Sequence, residues 1–517
     1  MSRKFTSTVA GASIFISALM LIGRGFGFIR EIIYAGYFGT GGEFDLYLVG
    51  AVLPITLNTI IYYLGQNYFM PGYSKVVAAN SSDAAKFSTQ VFGIFILGGI
   101  ILSLILLLLS DLIVDLYLHS PSEEISIAAK RIFRIFILTI PLSAGISILS
   151  SYLQAKLEFK YPSVSNLFLN LSIIVLVFVV SGDIGIYAIP VGYAVGILIQ
   201  FSYLIYKANK FGEFKLGKFR FEKSYIMSTI KSSLLIIVLI ESIGQLYAIA
   251  DRFFYDEVDA GGIASLNYAQ NLFLFPIAIF SFALGTAIFP RISGAYSREA
   301  DHDMNQILNE SIRISIVIFV PISFLFIFYG ETIVRLAFER GNFTATGTGM
   351  TFEVLRLYAV SMVLYSVYVI LNKTLYSVNL AKSLLTITII GMFLKIFFNI
   401  ILVEPYRQNG LALSSSLSYI SYFIMSLFIL TRKINLTAVS VFMSEIIINL
   451  FNGLLSYLLV LLMNRIVLDG LSNGSLFSIS LFCIIYFLNL YIINHSSIKI
   501  INNLFSRFIP DTNNVNI

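Results

Sequence analysis

Residues 30–54 read REIIYAGYFGTGGEFDLYLVGAVLP, and residues 252–276 read RFFYDEVDAGGIASLNYAQNLFLFP. Four landmarks recur at one spacing: Arg30 and Arg252, Gly39 and Gly261, Asp45 and Asn267, and Pro54 and Pro276 each stand 222 residues apart. Both stretches run from the end of one long apolar segment, through a glycine-containing turn, into the next. Each second segment then ends at a proline, Pro71 after Phe69-Met70 and Pro290 after Phe289. A single match of this kind arises by chance; four in matching surroundings indicate an internal duplication. Duplication alone builds channels and scaffolds as well as transporters, so the spacing sets the architecture and leaves the activity open.

The rest of the chain says where the duplicated halves reside. Of 517 residues, 57% are hydrophobic and 12% charged, and the mean hydropathy is +0.87. Soluble domains run at about 45–50% apolar and about 25% charged, and a soluble globule must still show much of its surface to water. This is the composition of a polytopic membrane protein, which excludes disordered, fibrous and disulfide-rich secreted classes. The net charge of +6 belongs to membrane orientation rather than to nucleic acid. The single cysteine, Cys483, sits in an apolar run as a small packing residue, and His119, His302 and His495 lack metal-ligand spacing. No metal site and no catalytic constellation is expected.

A crossing helix needs about 20 apolar residues, and backbone groups in lipid must be satisfied within the segment. Fourteen stretches meet that demand, near 10–37, 46–70, 88–110, 126–152, 162–180, 184–206, 226–250, 262–289, 310–329, 352–376, 383–403, 410–431, 441–464 and 475–494. The first is too long for a cleaved signal, and Arg24 and Arg30 interrupt it where a cleavage region would lie. The expected fold is all-α: two six-helix lobes, 8–206 and 226–431, related by a pseudo-two-fold repeat, with a C-terminal pair at 441–494. The repeat unit of six crossings is even, so both copies face the same way, and parallel repeats of this kind in transporters hold substrate near the repeat interface.

Orientation follows from the loops. One side carries Arg3, Lys4, Lys75, Lys86, Lys156, Lys160, Lys207, Lys210, Lys215, Lys218, Arg220, Lys223, Arg291, Arg298, Lys382, Arg432 and Lys433. The other is acidic, with Glu43, Asp45, Asp111, Asp115, Glu123, Glu124, Asp183, Asp256, Glu257 and Asp259. Positive residues stay inside, so both termini are expected in the cytoplasm.

Charges inside the spans are the candidate site. An arginine in a span costs at least about 2.5 kcal/mol, and its planar fork suits phosphate. Arg24 and Arg30 are six residues apart on the first span, diverging by about 120° and rising about 9 Å on ideal helix geometry. The glycines between them, Gly23-Arg24-Gly25-Phe26-Gly27, weaken the helix and could let both side chains turn toward one cavity. Arg30 could instead pair with Glu31 or Asp45 and hold the fold. Glu241 and Lys395, inside the seventh and eleventh spans, are candidates for ion coupling; Glu241 could also simply accept a hydrogen bond from Gln245, and the stem of Lys395 could reach an interface. Lys130, Arg131 and Arg134 read as interfacial anchors.

At these residues the chain resembles the MurJ (MviN) lipid II flippase family, within the multidrug/oligosaccharidyl-lipid/polysaccharide exporter superfamily. The resemblance rests on Gly23-Arg24, Gly27-Phe28-Ile29-Arg30, Phe38-Gly39 with Asp45, Leu266-Asn267-Tyr268-Ala269, Ala283-Leu284-Gly285-Thr286 through Phe289-Pro290-Arg291-Ile292-Ser293, Phe338-Glu339-Arg340-Gly341-Asn342-Phe343-Thr344, and Asn409-Gly410-Leu411-Ala412-Leu413-Ser414. It implies two six-helix lobes, a groove for a lipid tail from the last two helices, and movement of undecaprenyl-diphosphate-linked sugars from the inner to the outer leaflet of the bacterial cytoplasmic membrane. It maps two cavity arginines and an acid onto Arg24, Arg30 and Asp45. Arg252, the repeat mate of Arg30, joins the candidate substrate-binding set. Two further family arginines fall at Asn58 and Asn271, which removes two cations from a diphosphate pocket. A translocase for an exopolysaccharide, capsule or O-antigen repeat unit is therefore the alternative substrate reading. A drug/cation antiporter would want buried acids in the first lobe. A membrane-embedded glycan polymerase or ligase would want a large outward loop, and the longest in this chain, near 330–351, is short.

No G-x-x-x-x-G-K-[ST] motif is present, so no cofactor is expected, and membrane potential or an ion gradient is the expected energy source. The expected partners are the lipid-linked diphosphate sugar, membrane lipids and cell-wall or polysaccharide synthesis machinery, with no nucleic acid.

Overall fold

The computed structural model describes residues 9–79, 83–118, 123–211, 232–434, 438–466 and 476–493. The basic residues Arg3, Lys4, Lys215, Lys218, Arg220 and Lys223, the start of the seventh span, and His119 and His495 lie outside the described residues. Sixteen α-helices follow one another among the described residues, with no strand. They are α1 (Val9–Phe38), α2 (Gly42–Ala79), α3 (Ala84–Leu108), α4 (Ser110–Tyr117), α5 (Glu123–Ile137), α6 (Ile140–Ala155), α7 (Lys160–Ile184) and α8 (Ala188–Asn209). Then come α9 (Ser232–Arg252), α10 (Gly262–Ser297), α11 (Asp301–Phe328), α12 (Gly330–Phe338), α13 (Ala345–Ser377), α14 (Ala381–Lys433), α15 (Ala438–Ile466) and α16 (Leu476–Ile492).

Nine helical stretches among the described residues are long and apolar enough to cross a membrane. Two of them hold two passes each: Lys160–Asn209 breaks at Gly185, and α14 breaks at Arg407, just after Pro405. Those eleven passes, with α1, α9 and α16, make the fourteen that the apolar stretches predict. The fourth pass is jointed, because α5 ends at Ile137 and α6 restarts at Ile140 with Pro141 in its first turn, where the missing N–H of proline costs nothing.

The duplication is written into the backbone. Non-helical positive-φ residues fall at Gly39 and Gly261 (60° and 82°), Leu157 and Asn379 (62° and 60°), and Gly185 and Arg407 (57° and 51°), each pair again 222 apart. The second of these turns repeats its hydrogen bonds: Glu158 N–H donates to Leu153 O, and Leu380 N–H to Leu375 O, both at 2.8 Å. Thr139 Oγ donates to Phe136 O, and Ser361 Oγ, its mate, to Tyr358 O.

The chain forms two compact units. The first takes residues up to 267 together with 338–347 and 399–408; the second takes 268–337, 348–398 and 409 onward. In the first, α7 and α8 pack closely because Gly192 and Gly196 bring α8 against Ile173 and Leu169 of α7, the small-residue contact that lipid-embedded helices use in place of a hydrophobic drive. Lys130 and Arg134 on α5 pair with Asp115 and Asp111 on α4 at 2.9 and 2.8 Å, so these two anchor residues also clip a short helix. Two positions need glycine: a Cβ on Gly39 would strike the carbonyl of Asn342, and one on Gly261 the carbonyl of Thr40. Gly261→Ala is expected to cost at least about 1–2 kcal/mol from its left-handed φ alone, before the collision. Thermal unfolding in detergent against wild type measures it, with Gly244→Ala, which meets open space, as the unaffected control.

In the second unit, α15 packs on α11 and α16 on α15. Gly453 lies against the ring of Phe324, Phe328 stacks on Tyr457 at 4.0 Å, and a polar ladder joins the last two helices. Tyr486 OH donates to Asn449 Oδ1 at 2.7 Å, Asn489 Nδ2 to Asn452 Oδ1 at 3.0 Å, and Asn464 Nδ2 to Ser478 Oγ at 2.9 Å. Arg313 on α11 meets the buried carboxylate of Glu445 on α15 at 3.2 Å. The opposite faces of α15 and α16 carry Phe451, Leu454, Leu462, Leu488 and Tyr491 outward, an apolar surface suited to lipid.

Candidate functional site

A cavity of about 560 Å³ opens inside the first unit, between α1, α2, α6, α7 and α8. Its size is within the about 300–1,000 Å³ common for small-molecule sites. Arg24 reaches it from α1, and among the described residues lining it Arg24 alone carries a formal charge. The remaining polar lining is neutral: Asn58, Ser143, Ser150, Gln154, Asn166 and Gln200, with the phenols of Tyr62, Tyr63 and Tyr193. An apolar span puts such groups on its inner face because lipid would leave them unsatisfied.

Local packing fixes the wall. Asn58, 7% exposed, donates from Nδ2 to Thr139 Oγ1 and to Tyr193 OH, both at 3.3 Å. Tyr193 is held in turn by Phe136, at a ring distance of 4.8 Å, and Phe136 by Tyr47. Gln66 Nε2 donates to Gln154 Oε1 at 3.0 Å, and Gln200 Nε2 to Ser165 Oγ at 3.2 Å. Two buried atoms of lining residues have no partner among the described residues: Asn58 Oδ1, an acceptor, and Ser143 Oγ, which can do either. Buried polar atoms are normally satisfied, so these are places where a ligand bearing hydroxyl or amide groups gains more than it would from water.

The other candidate residues are distributed differently. Helix α1 runs unbroken through Gly23, Gly25 and Gly27, so the two arginines keep their divergence: Arg24 lines the cavity and Arg30 does not. Arg30 donates to Glu31 Oε1 at 2.8 Å and to Asn170 Oδ1 at 3.2 Å, with its guanidinium 5.4 Å from the Tyr34 ring centroid. Glu31 Oε2 accepts from Asn267 Nδ2 at 3.1 Å, so a buried network joins α1, α7 and the first turns of α10. Asp45 is 1% exposed, and its two oxygens accept from Gly261 N–H at 2.7 Å and Ala264 N–H at 2.6 Å. That carboxylate caps α10 from another helix, where the free N–H groups and the dipole favour an anion.

Arg252 is buried in the last turn of α9, and Glu241 lies half-buried on the same helix, which packs on α2. Asn271 is half-buried on α10 in the second unit. Lys395, also in the second unit, is fully buried and donates to Leu411 O at 3.1 Å and Ser415 Oγ at 2.7 Å. Sequence reasoning missed Asn166, Gln154 and Gln200 in the cavity, and a buried pair in the first unit, Asn399 Nδ2 donating to Asp251 Oδ1 at 3.0 Å. A lone amide inside an apolar run was the available signal for each. No cluster of three His, Cys, Asp or Glu residues suited to a metal is found among the described residues.

With this geometry in place, comparison with known proteins gives a consistent result. The profile of the family described as "Lipid II flippase MurJ" matches residues 34–487. A protein of Buchnera aphidicola subsp. Schizaphis graminum named "Probable lipid II flippase MurJ" is similar, 27% identical over 425 residues, covering 79% of this chain and 81% of that one. Among solved structures, "Lipid II flippase MurJ, inward closed conformation" superposes with a TM-score of 0.79 at 22% identity, over 94% of this chain and 100% of the other. A multidrug resistance MATE family transporter of the MOP superfamily, in an inward-facing conformation, superposes with a TM-score of 0.65 at 14% identity, over 79% of this chain and 94% of the other. These likenesses support the fold read from the apolar spans and the duplication.

Proposed function

The chain belongs to the lipid II flippase MurJ family, and from that membership we propose that it translocates lipid II, an undecaprenyl-diphosphate-linked glycan, from the cytoplasmic to the outer leaflet. It is a transporter and not an enzyme. The observation that carries the reading is the family match across residues 34–487, almost the whole set of passes. It favours lipid II over an exopolysaccharide repeat unit, and transport over polymerase or ligase chemistry.

The cavity supports the division of labour. A diphosphate-sugar head is too polar to cross hydrocarbon unaided, so it needs a polar enclosure while its tail stays in lipid. Arg24 offers a guanidinium fork to the diphosphate. The neutral amides and phenols around Asn58 suit a glycan, which presents many hydroxyls and amide groups and apolar ring faces. Arg30, Asp45 and Arg252 support the site through the fold. Asn271 is assigned to substrate on the resemblance alone, and Glu241 to ion coupling on its place inside a span. The duplicated lobes support alternating access. Membrane potential or an ion gradient is the energy source in this reading, both termini face the cytoplasm, and the partners beyond substrate and lipid are cell-wall synthesis enzymes.

Expression in bacteria depleted of their own lipid II flippase tests it. Growth restored together with lipid II appearing at the outer surface is the expected result. A chain that reaches the membrane and restores neither overturns the assignment to lipid II.

A further inference from the structure

Lys395 sits in the middle of a pass, 14 residues beyond the start of α14 at Ala381 and 12 before the turn at Arg407, about 18–21 Å from either end. That is too deep for its four-carbon stem to carry the charge to an interface. Its neighbours Phe393, Ile396 and Phe397 face outward while Lys395 itself is 0% exposed, so the ammonium points into the second unit. There it meets oxygen donors: the Leu411 carbonyl at 3.1 Å and the Ser415 hydroxyl at 2.7 Å. Ser415 gives its own proton to Leu411 O at 3.0 Å, which turns its lone pairs to the ammonium. Ser414 Oγ donates to the Lys395 carbonyl at 2.9 Å and ties the two halves of α14 together without needing the charge.

A carbonyl and a hydroxyl are hard, neutral oxygen ligands, the class that holds alkali cations as well as ammonium. Placing a charge at this depth is costly, and the hairpin has a neutral tie of its own, so the charge calls for a role of its own. We propose that the Lys395 ammonium is a tethered monovalent cation, supplied by the chain itself to an oxygen-lined position in the second unit that a free Na⁺ or K⁺ would otherwise fill. Transport by this chain then needs no alkali cation at that position. The proposal rests on the transport reading only for this last consequence; occupancy of the position does not depend on it.

Two measurements on the full-length chain separate the two. Purified wild type in detergent is unfolded thermally in choline chloride, NaCl or KCl at equal ionic strength, and one midpoint in all three is expected. Lys395→Ala, which empties the position, is expected to unfold several degrees lower in choline and to recover saturably with Na⁺ or K⁺. A variant that gains nothing from either cation overturns the proposal, and so does a wild type that gains as much as the variant. If Lys395→Ala does not fold, wild type in liposomes decides: flipping of lipid II with choline as the sole monovalent cation proceeds at the rate seen in Na⁺ or K⁺, and a tenfold fall in choline overturns the proposal. Absence of flipping in every salt sinks the transport reading instead, and the thermal arm still reports on the position.

Discussion

The Arg24→Ala chain is expected to reach the membrane in normal amount, to unfold at the wild-type temperature, and to fail in flippase-depleted cells. Arg24 is exposed within the first unit and lines the cavity, so truncating it leaves no buried partner behind. Its loss falls on the ligand. A charge-assisted hydrogen bond contributes about 1.5–3 kcal/mol, which corresponds to about 10- to 150-fold in affinity. The family resemblance places a second arginine where this chain has Asn58, and Asn58 is neutral, so the one remaining cation bears more of the diphosphate. Arg24→Lys keeps the charge and loses the fork, and should fall between wild type and alanine in the rate of lipid II appearance at the outer surface. Equal activity in all three chains would remove Arg24 from the substrate site.

The second large effect is on stability. Asp45→Ala is expected to lower the stability of the first unit by about 3–4 kcal/mol. The N–H groups of Gly261 and Ala264 lose the carboxylate oxygens that accept from them, each at about 1–3 kcal/mol, partly offset by no longer burying a charge. Asp45→Asn keeps one accepting oxygen and should lose about half as much. Thermal unfolding of the three chains in detergent measures the series. If instead Asp45→Asn unfolds like wild type but does not support flipping, the carboxylate acts on substrate and its contacts with α10 are incidental.

These two residues also show what a sequence can and cannot disclose. The fourteen passes were legible because lipid imposes one length and one composition on each crossing segment. The separation of Arg24 from Arg30 was present in the six-residue spacing, and helix geometry decided it once α1 proved continuous through its glycines. The cap made by Asp45 was not legible, because its partners lie 216 and 219 residues away and nothing local marks a helix start that borrows its acceptor. The duplicated turn at Gly185 and Arg407 was hidden for another reason. A shared backbone conformation does not require a shared side chain, and glycine in one copy stands opposite arginine in the other. Lys395 was visible as an anomaly in an apolar run, but its depth and its oxygen partners depend on where α14 turns.

The composition of the first unit bears on how the protein is made. Besides the residues up to 267 it needs two later pieces, 338–347 and 399–408. Asn342 N–H donates to Gly36 O, Asn399 holds Asp251, Arg407 donates to the Glu257 carbonyl, and Gln408 to Asp259. When the ribosome has released the first 267 residues, none of these contacts yet exists, and the amphipathic ends of α1 and α9 wait with open hydrogen-bonding groups until more than a hundred further residues have been inserted. The front half of the chain is thus a folding debtor to the back half, and its synthesis calls for an insertion site that shelters partly finished helices for that interval.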